Sequence, residues 1–276
     1  MKKVFYIMMT MSLAAAMTGC GEKEQKFNYL LDEFADLKIM RYQIPGWDEL
    51  SLQQKEYAYH LAEAAKWGRD IIWDQNSEHN IELRHTIENI LENYEGDKSS
   101  DEYQKFLVYA KRVFFANGIH HHYAEDKFFP ECSQEYFKSL MQAVGDADKC
   151  DLLIPYIYSK DNYKQRRANA TTGDIVVESS VNYYDDVNRE EVEAYYASIF
   201  EKDNETPISY GLNTKVVKDE NGNVKELAWY KGGIYGEAIT KICEELALAA
   251  KVAENDIQKR ALNLLIKYYE TGDLKL

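Results

Sequence analysis

The sequence predicts an α+β fold, mainly helical, with one β-hairpin in its carboxyl-terminal third. Apolar residues recur at helical spacing through several segments, most of which open on a capping residue or close at glycine. An Asn-Gly pair lies between two short runs of valine and lysine, the pattern of a hairpin. Hydrophobic residues make up 45% of the chain and aromatic residues 13%, with only 4 prolines, so there is ample material for a core. Such a composition is not that of a disordered tail. A length of 276 residues suits one large domain or two modest ones.

The first element is a leader. Lys2 and Lys3 precede an apolar run over 4–17, followed by Met17-Thr18-Gly19-Cys20, the layout of a secretory signal. The run is too short for a membrane span, which needs about 20 apolar residues. Its end resembles the lipobox of bacterial lipoproteins, in which the cysteine thiol is acylated and becomes the first residue. Residues 1–19 are therefore expected to be a lipoprotein-type signal peptide, Cys20 the lipidation site and 20–27 a polar tether. An ordinary signal cut near Ala16, leaving Cys20 a plain thiol, is the alternative. Acyl chains contribute about 0.8 kcal/mol per buried methylene. The expected location is outside the cytoplasm, lipid-anchored to a bacterial membrane on its periplasmic or cell-surface face.

Over 27–39, Leu30, Leu31, Phe34, Leu37 and Ile39 recur at roughly helical spacing until Pro45-Gly46 interrupts, predicting a helix. Ser51 caps a predicted helix over 51–73, in which Leu52, Tyr59, Leu61, Ala62, Ala65 and Ile72 share faces. A helix over 81–94 ends at Gly96, and one over 101–116 carries Tyr103, Phe106, Leu107, Ala110, Val113 and Phe114 before Asn117-Gly118 closes it. Ser133 caps a helix over 133–144, with Glu135 in its first turn. Periodicity weakens over 151–182, where Ile175-Val176-Val177 is the one β-like run. Asn188 caps a helix over 189–200 whose Glu190, Glu191 and Glu193 suit the positive end of its dipole. Lys215-Val216-Val217-Lys218 and Val224-Lys225-Glu226-Leu227 flank Asp219-Glu220-Asn221-Gly222 as the hairpin. Helices over 237–253 and 257–270 follow, the second stopping at Gly272. No internal repeat is present.

Charge and cysteine content narrow the function. The chain carries a formal charge of −14, and loss of Lys2 and Lys3 with the leader makes the remainder more acidic. An acidic surface repels phosphate backbones, which excludes nucleic acid as a partner. Beyond Cys20 the cysteines are Cys132, Cys150 and Cys243, an odd number that cannot close a disulfide framework. Three buried thiols, or one disulfide and a free thiol, satisfy the count. The 22 tyrosines outnumber Phe and Trp together; buried phenols need hydrogen-bond partners, as in a wet cleft or a tyrosine-rich core.

Asn117-Gly118-Ile119-His120-His121-His122-Tyr123 gathers half of the six histidines at a helix end. On a strand, His120 and His122 would converge, with Glu125 or Asp126 nearby; a catalytic metal site requires a third ligand of matching geometry. Hydrogen bonding in a cleft wall, or ordering of a polar loop, asks less of the same residues. His79 and His85 fall on different helical faces, and no His-Glu-x-x-His, Gly-x-Ser-x-Gly, Gly-x-Gly-x-x-Gly or phosphate-loop motif occurs. The acidic pairs Asp185-Asp186, Glu190-Glu191 and Glu244-Glu245 sit at helix starts or on helix faces and are expected to be solvated.

The run Phe34-Ala35-Asp36-Leu37-Lys38-Ile39-Met40-Arg41-Tyr42-Gln43-Ile44-Pro45-Gly46 is similar to the start of the mature domain of Bacteroidetes-type dipeptidyl peptidase III. Leu50 to Lys55, Gly68-Arg69-Asp70-Ile71-Ile72-Trp73-Asp74-Gln75, Asn117 to Tyr123 and Lys127-Phe128-Phe129-Pro130 follow in the order and spacing that resemble that family, from about residue 28 onward. Members of the family are zinc exopeptidases that remove dipeptides from the amino end of oligopeptides, with a cleft between two lobes.

The resemblance implies that 28–276 is the amino-terminal, lower, substrate-binding lobe of such an enzyme, apparently truncated, mixing helices with a small β-barrel to which 175–177 and 210–230 give strands. It places zinc on a His-Glu-x-x-Gly-His motif and a later glutamate in the other lobe, with the transition-state tyrosine beyond Leu276. No catalytic or metal-binding residue is assigned within the segment, and zinc is a cofactor of the full-length parent alone. Asn117, His120, His122 and Tyr123 become candidates for contact with an oligopeptide substrate, as do Asn182, Tyr183 and Tyr184. A non-catalytic peptide-binding or interaction lipoprotein of the same lobe is the alternative. Nothing in the sequence sets an oligomeric state.

Overall fold

Two residues, Ala35 and Asp36, turn the chain between β1 (Leu30–Phe34) and β2 (Leu37–Met40), an antiparallel pair with Phe34 opposite Leu37. Ala35 adopts a φ of 51° to make the turn. The helix expected over 27–39 is thus a hairpin: the apolar spacing there is too short to separate the two periods, and the turn decides. The Arg41 backbone N–H continues the ladder to the Tyr29 carbonyl at 2.9 Å, and its guanidinium lies 4.6 Å from the Phe27 ring.

These coordinates come from a computed structural model that describes residues 27–161, 163–167, 173–200 and 205–276. The expected signal peptide over 1–19, Cys20 and all but the last residue of the tether lie outside the described residues. The chain divides into one unit ending at Pro45 and a second, Gly46–Leu276.

In the second unit, α1 (Leu52–Trp67) starts from a reciprocal cap, Ser51 Oγ accepting from the Gln54 N–H and the Gln54 side chain accepting from the Ser51 N–H. The single helix expected over 51–73 is broken at Gly68, whose N–H bonds the Ala65 carbonyl in a tighter turn at 3.1 Å, and α2 (Arg69–Asn76) continues from it. Then come α3 (Asn80–Asn93), α4 (Asp101–Ala116), α5 (Gln134–Ala143) and α6 (Cys150–Tyr158). The sequence pattern misses α6 because Pro155 sits inside it. Together α2 to α6 enclose the main core, where Trp73, Leu83, Ile87, Phe106, Phe137, Leu140 and Leu153 are nearly or fully buried. A second core forms where α1 packs on α9 (Gly236–Lys251), and α9 on α10 (Asp256–Thr271), around Ala64, Leu246, Ala249 and Leu262. Short side chains at 64, 249 and 250 let these helices approach closely, and His60 Nδ1 meets Glu245 at 2.8 Å.

The sheet joins β3 (Tyr184–Asp185), β4 (Thr214–Lys218) and β5 (Val224–Ala228) in that order, β3 parallel to β4 and β4 antiparallel to β5. The predicted hairpin is present, with Gly222 at φ 79° in its turn. The β-like run at 175–177 is instead a single helical turn, α7 (Ile175–Glu178), because the Asp174 side chain accepts the Val176 N–H and caps it. It supplies no strand. Among the described residues the strands form a two-stranded and a three-stranded sheet, and no closed barrel: β3 is only two residues long and pairs with β4 alone. α8 (Arg189–Ile199) follows β3, capped reciprocally by Asn188 and Glu191. Cys132, Cys150 and Cys243 are buried free thiols. No helix among the described residues is long and apolar enough to cross a membrane.

Candidate functional site

The site begins where α4 ends. Asn117 takes the left-handed conformation at φ 54°, Gly118 follows at φ 143°, and the chain turns out of the helix toward Asn80. The fully buried Asn80 is the fixed point of this corner. Its amide donates to the Trp73 carbonyl at 3.0 Å, its Oδ1 accepts from the Ile119 N–H at 3.3 Å, and the Tyr156 hydroxyl stands 3.1 Å from the same oxygen.

From Ile119 the chain doubles back on itself. His120 faces Lys127 in an antiparallel bridge, the His121 N–H donates to the Asp126 carbonyl, and the Phe128 N–H donates to the Ile119 carbonyl, each of the latter two at 2.7 Å. Arg166 clasps the far side, its guanidinium donating to the carbonyls of His121 and His122 at 3.1 and 3.2 Å. Two residues point inward from this loop. His120 is 3% exposed, with Nε2 2.8 Å from the Lys164 carbonyl, so Nε2 carries the proton and Nδ1 is left as an acceptor. Nδ1 is buried and has no hydrogen-bond partner among the described residues. Burial pushes the imidazole pKa down to about 4, which keeps the ring neutral. Lys127 is 6% exposed; its ammonium donates to the Tyr156 and Ser159 carbonyls at 2.8 Å each and lies 4.8 and 5.2 Å from the centres of the Phe129 and Tyr163 rings. Burial pushes it down to about 8, while the carbonyls at the end of α6 and the two ring faces favour its charged form.

Both side chains line a cavity of about 300 Å³, together with the polar Tyr156, Ser179, Asn182 and Tyr184 and the apolar Ile119, Val176 and Val181. Ser77, His120, Lys127 and Ser179, four of the buried polar residues of the molecule, surround this one space. A second cavity of about 420 Å³ shares Tyr184 and is walled by Tyr183, Tyr196, Tyr210 and Trp229. A larger hollow, about 880 Å³, lies among α1, α2, α3 and the start of α9. Several of its charged groups meet a partner: Arg84 pairs with Asp70 and Glu88, Lys66 with Glu63, and the Tyr235 hydroxyl donates to Asp74. The smaller pair of cavities is the stronger candidate, because buried polar side chains gather around the first and aromatic side chains wall the second.

The structure brings some of the expected site residues together and separates others. His120 and Asn182 line the first cavity, although Asn182 Oδ1 already accepts from Lys215 Nζ at 2.7 Å. Tyr183 lines the second cavity, its ring 5.9 Å from that of Trp229, and Tyr184 lines both. Asn117 serves as the turn residue after α4, its carbonyl accepting from Asn76. His122 diverges from His120, its ring edge-on to Phe115 and stacked on His121, with ring centres 4.7 and 4.3 Å away. Tyr123 is 92% exposed. Lys127, Tyr156 and Ser179 were missed. Only Lys127 carried a signal, as the sole cation in a run that turns from polar to Phe-Phe-Pro. Among the described residues no three His, Cys, Asp or Glu side chains are grouped to hold a metal, so zinc has no fitting donor set there.

Neither a protein-family model nor a curated relative matches the sequence. Solved structures do match the fold. Dipeptidyl-peptidase III from Corallococcus sp. strain EGB is 14% identical with a TM-score of 0.50, and dipeptidyl peptidase III from Caldithrix abyssi is 16% identical with a TM-score of 0.47. In each case the match covers 84% of this chain and 33% of the other. The chain thus spans about a third of the length of these dipeptidyl peptidase III structures, and its fold is similar to that part of the Corallococcus one.

Proposed function

We propose that this chain forms the peptide-binding part of a dipeptidyl peptidase III-like peptidase, one that releases dipeptides from the amino end of oligopeptides once completed by a zinc-bearing lobe. The observation that carries the reading is the likeness of fold to the dipeptidyl-peptidase III of Corallococcus over 84% of this chain. The candidate residues support it. The segment from Ser179 to Asp185 runs past both cavities and ends in β3, an edge strand of its sheet. An extended peptide adding to such an edge gains main-chain hydrogen bonds whatever its side chains, and the tyrosine-walled cavity would take one of them.

The described residues offer zinc no fitting site, so no step is derived through it; the metal and the water it activates belong, in this reading, to the other lobe. What these residues supply is binding: the edge of β3 and the aromatic wall of the second cavity. The leader and Cys20 belong to the same proposal, placing the peptidase outside the cytoplasm on a lipid anchor.

Titration of the 276-residue protein with an oligopeptide, followed by tryptophan fluorescence because Trp229 walls the second cavity, tests the binding half. Saturable binding that weakens in Tyr183→Ala is expected; absence of any binding overturns the reading. Dipeptide release by this chain loaded with zinc would overturn the assignment of chemistry to another lobe.

A further inference from the structure

The second cavity, about 420 Å³, is walled by Tyr183, Tyr184, Tyr196, Tyr210 and Trp229, and among the described residues that line it none is charged. The Tyr183 and Trp229 rings lie 5.9 Å apart with their planes 43° from parallel, and those of Tyr196 and Tyr210 lie 6.4 Å apart at 45°. Neither pair is stacked, so within each pair no ring covers the face of the other.

The strands sort the charges around this wall. Val216 of β4, which lines the cavity, stands opposite Glu226 of β5 in the antiparallel register, and Thr214 lies two residues before it, so the three side chains share one face of the sheet. By the same alternation Lys215 and Lys225 fall on the other face. Lys218, at the end of the cavity face, is held by Glu191 at 2.9 Å. Glu226 Oε1 accepts from the Tyr196 hydroxyl and from Thr214 Oγ1 at 2.8 Å each, and the carboxylate makes no ion pair among the described residues. Arg166 stands near Tyr183, but its guanidinium is engaged by Asn76 Oδ1 and by the carbonyls of His121 and His122. An uncompensated negative charge therefore sits beside the Tyr196 end of an aromatic cavity.

We propose that this cavity binds a methylated ammonium group, its charge against Tyr196 and Tyr210 beside Glu226. Aromatic rings attract a cation through the negative potential of their faces, and the attraction grows when both leave water. A quaternary ammonium has no N–H to satisfy. A primary ammonium brings three donors to a carboxylate that two hydroxyls already occupy. A neutral alkyl group fills the same space without gain from Glu226, and an anion is repelled by it. The volume suits a small ligand or one long side chain. The group has two sources, a free small molecule or a trimethylated lysine of a peptide. The first stands on the cavity alone; the second rests on the peptidase reading.

Calorimetric titration of the 276-residue protein at constant ionic strength compares choline with the neutral alcohol in which carbon replaces its nitrogen. Choline should bind saturably in about the millimolar range, as expected for so few atoms, and the neutral isostere at least about tenfold more weakly. No saturable binding of choline, or equal binding of the two, overturns the proposal. Glu226→Gln keeps an acceptor for Tyr196 and Thr214 while removing the charge, and Tyr210→Leu keeps apolar bulk while removing the ring. Each should weaken choline at least about fivefold, leave the neutral isostere unaffected and preserve cooperative unfolding; unchanged choline binding in both overturns the proposal. If neither variant folds, the two probes on the unaltered protein decide. A trimethyllysine tripeptide that binds more tightly than choline and than its unmethylated form identifies the peptide-borne source. Choline binding without binding of any oligopeptide leaves this site standing and sinks the peptidase reading, and oligopeptide binding without choline binding does the reverse.

Discussion

Replacing Gly118 with alanine tests whether the corner at Asn80 holds the site in place. Gly118 has φ 143°, a conformation that side chains rarely adopt, and forcing alanine into it costs about 1–3 kcal/mol. The new Cβ would stand 2.2 Å from Asn80 Nδ2 and 2.8 Å from its Cγ. Asn80 cannot swing away cheaply. Its amide holds the Trp73 carbonyl and its oxygen the Ile119 N–H, and each buried group left without a partner adds about 1–3 kcal/mol. The total, about 3–9 kcal/mol if both groups lose their partner, is a large share of the roughly 5–15 kcal/mol that holds a typical domain folded. Gly145 is the control: its φ is 88° and nothing lies within 4 Å of an added Cβ, so alanine there costs the backbone contribution of about 1–2 kcal/mol alone. Urea unfolding followed by circular dichroism should show Gly118→Ala less stable than Gly145→Ala by at least about 2 kcal/mol. Equal losses in the two variants would refute the role given to Asn80.

The remaining predictions address the same frame from other sides. The buried His120 titrates near 4, against about 6.5 in an unfolded chain, so as pH falls through that window the unfolded state takes up a proton that the folded state refuses. The stability this group permits is complete above about pH 6.5 and declines toward pH 4 by up to about 3 kcal/mol; His120→Gln should flatten that slope in urea titrations, and an unchanged slope would locate the acid sensitivity elsewhere. Asn188→Ala removes the side chain that accepts the Glu191 N–H at 3.0 Å and should cost about 1 kcal/mol by chemical denaturation. Cys132, Cys150 and Cys243 are buried with their thiol pKa values raised chiefly by burial, so a disulfide-exchange reagent should react with them only on unfolding. Rapid labelling of any of these three in the native protein would contradict their placement.

The helices that begin at Ser51, Ser133 and Asn188 were legible because each carries its own start signal, a side chain that accepts a backbone N–H three residues on. The hairpin around Gly222 was legible for the same kind of local reason. Where local signals compete, pattern reading fails. Leu30, Leu31, Phe34, Leu37 and Ile39 satisfy a helical spacing and a pair of short strands alike, and a turn through Ala35, which supplies a positive φ without glycine, settles the matter. Val176 and Val177 have strand-forming side chains, yet Asp174 caps the turn that contains them. In α6 the single Pro155 hid a helix whose other residues pack the main core.

The site is harder still, because its chemistry arises between segments far apart in the chain. The alternation that would aim His120 and His122 at one point requires a strand through both, but the bridge to Lys127 engages His120 alone. One residue later Arg166 binds successive carbonyls of His121 and His122, turning the backbone so that the second histidine rests on Phe115 instead. What meets His120 in the cavity is a lysine seven residues on, a phenol from α6 and a serine just beyond α7. None of these pairs has a spacing that sequence alone would mark. A buried lysine is tolerated there because α6 ends in two carbonyls aimed at it, and α6 is the helix the sequence concealed. The histidine cluster was visible as a list of residues, whereas the burial of His120 opposite Lys127 exists only once that helix is in place.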